Sequence, residues 1–245
     1  AFINSASLRG QIAMPLPNYT DVTQHSLARS PQAVSRGALP RWGAALSPEL
    51  THQLQQQVCK LARKKNYPAA IRLLDRLIGS HPHHAEYYSN RGLMYYRCRQ
   101  WGHALLDYNR ALTLNGQCDR TYNHRANCYA AQRSWHAAIS DYDRAIDINP
   151  FNTQARLNQG ITLRSIDRYQ SALICFDIAL FFGAAAPAIY AERGRTYHLM
   201  GHWNCAMGDY QRALTALHSA DIPAFQAKRL RKRIHSWQIQ LLSVD

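Results

Sequence analysis

The sequence predicts an all-α protein, a solenoid of helix–turn–helix units ending in a C-terminal capping helix. Three observations predict it. First, the stretch Ala85–Cys118 recurs in step as 119–152, 153–186 and 187–220, a fixed period of 34 residues. Second, small residues recur in columns of that unit. Position 8 reads Gly92, Ala126, Gly160, Gly194; position 20 reads Ala104, Ala138, Ala172, Ala206; position 27 reads Ala111, Ala145, Ala179, Ala213. Third, aromatics hold position 17 (Trp101, Trp135, Tyr169, Trp203) and position 24 (Tyr108, Tyr142, Phe176, Tyr210). Small columns let two helices approach closely, and the rings between them fill the remaining volume. One period upstream, 51–84 is a weaker first copy with Tyr67 at position 17, Ala70 at 20 and Pro82 at 32.

A 34-residue period with these columns resembles the tetratricopeptide repeat (TPR) family. The wording of the units, such as Asn90-Arg91-Gly92 followed by Asp107-Tyr108-Asn109-Arg110-Ala111, is similar to TPR proteins common in cyanobacteria and other prokaryotes. The resemblance spans residues 51–220. It implies a right-handed α-solenoid of about five repeats that binds other molecules as a non-catalytic scaffold, adaptor or assembly factor. It does not say which molecules.

Taken in order, residues 1–46 carry no repeat pattern, and Pro15, Pro17, Pro31 and Pro40 argue against long helices or a sheet there. They are expected to form an extended arm. Ser47 is expected to cap the first helix with Pro48 as its first residue. That helix should run to about Lys65 and its partner from about Pro68 to Ile78, with looser packing where Leu77 replaces the alanine of position 27. In the four better copies, helices are expected near positions 2–14 and 18–31. Residues 221–245 are expected to form the cap, because Leu230, Ile234, Trp237 and Leu241 fall on one helical face. The cap's Lys228, Arg229, Arg231, Lys232 and Arg233 should lie mostly on its outer surface as a basic patch.

Twenty-nine Lys+Arg against 15 Asp+Glu give a net charge of +14, which points to acidic protein surfaces, nucleic acid or anionic lipid as partners. Cys59, Cys98, Cys118, Cys128, Cys175 and Cys205 occupy six different repeat positions and form no CxxC pair. That spacing predicts no disulfide framework or zinc site. It suits reduced, mostly buried thiols in a cytoplasmic or stroma-like reducing compartment. The most apolar run, Ala172–Ala191, is broken by Asp177 and Gly183, and reads as a helix plus a turn rather than a membrane span. His81, His83 and His84 share one loop without a nearby acid or cysteine, so no metal is expected there.

Within the repeats, position 7 reads Arg91, Arg125, Gln159, Arg193 and position 23 reads Asp107, Asp141, Cys175, Asp209. Arg and Asp occur together in three copies and vanish together in one. This predicts an ion pair inside each unit, since an unpaired half-buried charge is costly. No phosphate loop, HExxH, Ser/His/Asp arrangement or paired carboxylates at motif spacing is present, so no catalysis and no cofactor are expected.

The resemblance places positions 2, 5, 6, 9, 12 and 13 on a concave groove. Here they supply Asn90, Tyr96 and Arg97, then Arg120, Asn123, His124 and Asn127, then Asn158 and Arg164, and finally Arg195 and His198. Side-chain amides can bond a peptide backbone whatever its sequence, and arginines recognise carboxylates. With only Glu86 and Glu192 as acids, the groove should be positive and take an acidic surface or an extended peptide. The two-carboxylate clamp of chaperone-tail binders is incomplete. Asn123, Asn127 and Asn158 are followed by Ala188 and Glu192 where cations belong. An RNA-binding helical repeat, using the basic groove and tail, is the alternative reading. On the convex side, Ile174, Ile178 and Phe181 form an apolar stripe at positions where sibling repeats carry Leu106/Arg110/Thr113, Ser140/Arg144/Asp147 and Gly208/Arg212/Thr215. The stripe is expected to be a contact patch.

Overall fold

Five successive helical hairpins arise because each unit carries its own start and stop signals. A computed structural model describes residues 46–183, 186–219 and 222–242. Its helices are α1 (Pro48–Arg63), α2 (Tyr67–Ser80), α3 (Ala85–Arg97), α4 (Trp101–Leu114), α5 (Asp119–Ala131), α6 (Trp135–Ile148), α7 (Thr153–Arg164), α8 (Tyr169–Phe182), α9 (Pro187–Leu199), α10 (Trp203–Ser219) and α11 (Ala224–Leu242). No strand occurs among the described residues. The expected arm lies outside them, apart from Leu46.

Ser47 caps α1 as expected, its Oγ accepting from the Leu50 amide at 3.2 Å, and Pro48 begins the helix. The hairpin turns share one device. Position 15 is left-handed in all five units: Lys65 at φ 59°, Arg99, Arg133 and Asp167 at 60°, and Gly201 at 79°. Its amide donates back to the carbonyl at position 12, and the next amide to the carbonyl at position 11, as in Gln100 N to Tyr95 O at 2.9 Å. This double bond pattern ends the inner helix and turns the chain sharply. Four of the five turns do so without glycine.

The small columns do what the sequence implies. All five position-20 alanines, Ala70 included, are fully buried, and Tyr108, Tyr142, Phe176 and Tyr210 are at most 1% exposed. A Cβ on Gly92 would lie 2.8 Å from the Tyr108 ring, and one on Gly160 only 2.6 Å from Phe176. The ring of the outer helix therefore occupies the space the missing side chain leaves. Leu77 departs from expectation: it is fully buried beside Leu74, so the first repeat fills its larger gap with leucines.

The predicted ion pairs form, and each arginine does more than pair within its unit. Arg91, Arg125 and Arg193 grip Asp107, Asp141 and Asp209 through two bonds each, at 2.7–2.8 Å. The remaining nitrogen reaches position 25 of the preceding repeat: Asp75 at 2.7 Å, Asn109 at 2.7 Å and Asp177 at 2.6 Å. Where Arg is replaced, Gln159 still donates to Asp143 at 2.6 Å and accepts from Cys175 Sγ at 3.4 Å. Position 7 thus links neighbouring repeats as well as the two helices of its own.

The capping stripe packs as expected: Ile234 is fully buried against Ala206, Tyr210 and Ala213, with Leu230, Trp237 and Leu241 around it. The cap also reaches the inner face of α9, where Arg233 bonds Glu192 at 2.6 Å and Gln240 accepts from Arg195 at 3.1 Å.

Candidate partner-binding groove

The odd-numbered helices α3, α5, α7 and α9 stand side by side and form a continuous inner row. Side chains cross each junction. Thr121 Oγ1 meets Ser89 Oγ at 3.0 Å, Asn158 Nδ2 donates to Asn123 Oδ1 at 3.0 Å, and Arg164 reaches Thr196 at 3.4 Å.

The sequence-selected groove residues divide into two halves. In the first, Asn90 is half-buried and bonds no described residue through its side chain. Asn123 and Asn127 use their oxygens, the latter accepting from Tyr142 Oη at 2.7 Å, and keep their N–H donors unspent among the described residues. Gln154 donates to Asn158 at 3.0 Å, extending the amide chain along the row. Arg97 and Arg120 are exposed and have no ion pair with a described residue. Tyr96 packs partly buried against Tyr108 and Cys128.

The second half is already occupied by the protein itself. Glu192 is 5% exposed and held by Arg164 at 2.7 Å and Arg233 at 2.6 Å. Burial alone would raise its pKa, but the two guanidinium charges and their hydrogen bonds outweigh that and hold the carboxyl below its usual range. Arg195 lies against the Trp237 ring at 5.6 Å, and His198 is buried within reach of Tyr210 Oη at 3.3 Å. Arg164 and Arg195 are therefore structural partners of Glu192 and the cap, and His198 of Arg195 and Tyr210, rather than open groove cations. The sequence could not show this, because Arg233 meets Glu192 across 41 residues.

Two histidines are neutral by position. Burial pushes His124 down to about 4, helped by Arg120 and Arg97, and burial with Arg195 does the same to His198. His124 Nδ1 and Tyr108 Oη are buried without a described partner, their rings 6.1 Å apart.

Elsewhere the stripe of α8 is open: Ile174 is 59% exposed, Phe181 84%, and Ile178 is half-buried. Phe182 is 41% exposed and leans edge-on to Phe151 at 5.1 Å and Phe181 at 5.2 Å. Lys228, Arg231 and Lys232 are exposed on the outer side of α11, and Arg229 and Arg233, also exposed, line the side that faces α3 and α9. All six cysteines are unbridged, but only Cys128 is fully buried. Among the described residues no group could hold a metal ion and no helix is long and apolar enough to cross a membrane. His84 instead stacks on Tyr87 at 4.0 Å.

Stacked helical hairpins with a polar inner row define an interaction scaffold of the α-solenoid class. A sequence profile of the tetratricopeptide repeat family matches residues 57–121 and 123–188, more than half of the chain, and the protein belongs to that family. Solved structures share the fold. PilF of Pseudomonas aeruginosa superposes with a TM-score of 0.63 at 15% identity, covering 79% of this chain and 90% of its own. MamA of Desulfovibrio magneticus RS-1 gives 0.60 at 10% identity, covering 70% and 97%. Another MamA structure gives 0.58 at 19% identity, covering 71% and 99%. No curated protein sequence matches the chain.

Proposed function

We propose that this TPR protein is a non-catalytic scaffold that holds an extended, acidic segment of a protein partner along its inner row, as an adaptor or assembly factor. The observation that carries this reading is the run of amide groups on Asn90, Asn123 and Asn127 whose N–H donors meet no described residue, flanked by Arg97 and Arg120, which form no ion pair with one. Amides spaced along a row of parallel helices can bond successive peptide groups of an extended chain without reading its side chains. The two arginines add recognition of carboxylates. Unbridged thiols suit a reducing compartment.

Affinity capture from source lysate, with nuclease and without, tests the reading. Changing Asn90, Asn123 and Asn127 to Ala removes three net hydrogen bonds of about 1 kcal/mol each, so captured protein should fall by roughly two orders of magnitude in affinity. Helix content should not change. Capture that persists unchanged would place the partner elsewhere. RNA is the second reading, favoured by the +14 charge and by the exposed Lys228, Arg231 and Lys232, which form no ion pair with a described residue. It requires that nuclease abolish capture and that binding fall steeply with salt.

A further inference from the structure

The solenoid curls so that its first repeat faces its cap. Between them lies a cavity of about 1040 Å³, bounded by the α1–α2 turn, the inner side of α3, the start of α9 and the first half of α11. Its cations are Arg63, Lys65, Arg97, Arg229 and Arg233, and no Asp or Glu among the described residues lines it. Only Arg233 is compensated, by Glu192 behind it; the other four form no ion pair with a described residue. The walls between these charges are apolar, including Leu93, Met94, Ile222 and Phe225. Phe225 is 62% exposed and Lys65 Nζ sits 5.3 Å from its ring centre, a contact that joins the two sides of the cavity.

Folding does not call for this arrangement. Cations gathered on one concave surface repel one another, and a field of one sign inside low-dielectric walls attracts the opposite charge. A large aromatic left open beside them offers apolar contact area. α9 and α11 both begin at this wall, which brings the positive ends of two helix dipoles beside it. From this combination we propose that the cavity between the first repeat and the cap is a binding site for an acidic peptide segment carrying a large apolar side chain, the side chain entering between Leu93 and Phe225 and the carboxylates meeting Arg97 and Arg229.

The site rests on the protein-partner reading above and adds the chemistry of one anchor point, Arg97 being shared with the inner row. The walls favour peptide over nucleic acid. The two rings, Tyr67 and Phe225, stand singly among aliphatic side chains, so the described lining offers no run of adjacent rings on which successive bases could stack. The cavity's position inside the curl also keeps a flat lipid surface away.

Fluorescence anisotropy on the full chain tests this. The probe is a labelled 12-residue peptide rich in Asp and Glu with a central Leu-Phe pair. Its controls are the same peptide with Asn and Gln for the acids, the same with Ser-Ser for Leu-Phe, and a labelled 12-nucleotide oligouridine. Arg97→Gln with Arg229→Gln should weaken peptide binding at least about tenfold, and Phe225→Ala several-fold. Both sets of residues are exposed, so melting temperatures should match the parent. The neutral and the Ser-Ser peptides should each bind about tenfold more weakly than the parent peptide. Equal binding by parent and double variant overturns the cavity, as does a Ser-Ser peptide that binds as tightly. If the probe fails while partner capture still depends on Asn90, Asn123 and Asn127, the cavity is refuted and the inner-row reading stands. If oligouridine binds more tightly than the peptide and is lost in the same variants, both peptide assignments fall together.

Discussion

Arg91 Nη1 lies 2.7 Å from the carboxylate of Asp75, across the boundary between the first and second repeats. The same guanidinium closes on Asp107 with two further bonds, and the Asp107 bonds above all, then those of Asp75, raise its pKa against the opposing effect of burial. One side chain therefore ties the helices of a unit and the unit to its neighbour. In a solenoid, stability comes from just these two terms, intrinsic and nearest-neighbour.

The two carboxylates should contribute unequally. Asp107 is 7% exposed and Asp75 is 42% exposed. Asp107→Ala leaves a half-buried cation short of its main partner and should cost roughly 2–4 kcal/mol, whereas Asp75→Ala should cost under about 1. The pair Arg91→Gln with Asp107→Cys imitates Gln159 and Cys175 and should recover much of the Asp107→Ala loss. Urea unfolding of the three proteins decides it.

The hairpin turns make a second test. Gly201 sits at φ 79°, so Gly201→Ala should destabilise by about 1 kcal/mol, although nothing crowds the position. Arg133, at φ 60° in the equivalent turn, should gain stability on Arg133→Gly, by about the same amount less the unfolded-state entropy. Thermal melts of opposite sign are expected.

Two tyrosines in the same column should respond differently to loss of the hydroxyl. Tyr142 Oη donates to Asn127 at 2.7 Å, so Tyr142→Phe should cost about 1 kcal/mol. Tyr108 Oη is buried without a described partner, and Tyr108→Phe should be neutral or stabilising. Equal losses at both sites would contradict this difference.

Acid should weaken the fold through its histidines. With pKa values near 4, folded His124 and His198 refuse a proton that the unfolded chain accepts at about 6.5. The unfolded state then binds more protons, so stability falls as pH drops from about 6.5 toward 4. The loss at pH 5 should be roughly 2 kcal/mol for His124 and smaller for His198, which solvent screens more. The lowered pKa of Glu192 adds a later loss, as pH falls below the ordinary carboxylate range toward its folded value. His124→Phe should flatten the dependence of the urea midpoint between pH 7 and 5; an unchanged slope would remove His124 from this account.

The open stripe of α8 gives a stability control. Phe181 is 84% exposed, so Phe181→Ser should change the free energy of unfolding by less than about 0.5 kcal/mol. A large loss, read from the same melts, would mean the ring is buried in solution.

By itself the sequence determined the architecture, because a repeat protein carries its own internal comparison. The 34-residue columns specified which residues are small, which rings fill the gap and which helix each belongs to. The paired gain and loss of Arg and Asp at positions 7 and 23 exposed a contact that four copies solve alike or abandon together. Position 25, reading Asp75, Asn109, Asp143 and Asp177, held the same kind of signal for the link between repeats. Tertiary structure decided everything that depends on curvature and on the cap. Only the curl of the array brings Lys65 to Phe225, 160 residues apart in the chain, and only the docking of α11 sets Arg233 on Glu192 and Gln240 on Arg195, withdrawing Arg195 from the groove. These contacts occur once and join segments with no repeated counterpart. Periodicity reports local packing that each unit reproduces; it carries no record of where the two ends of the stack meet.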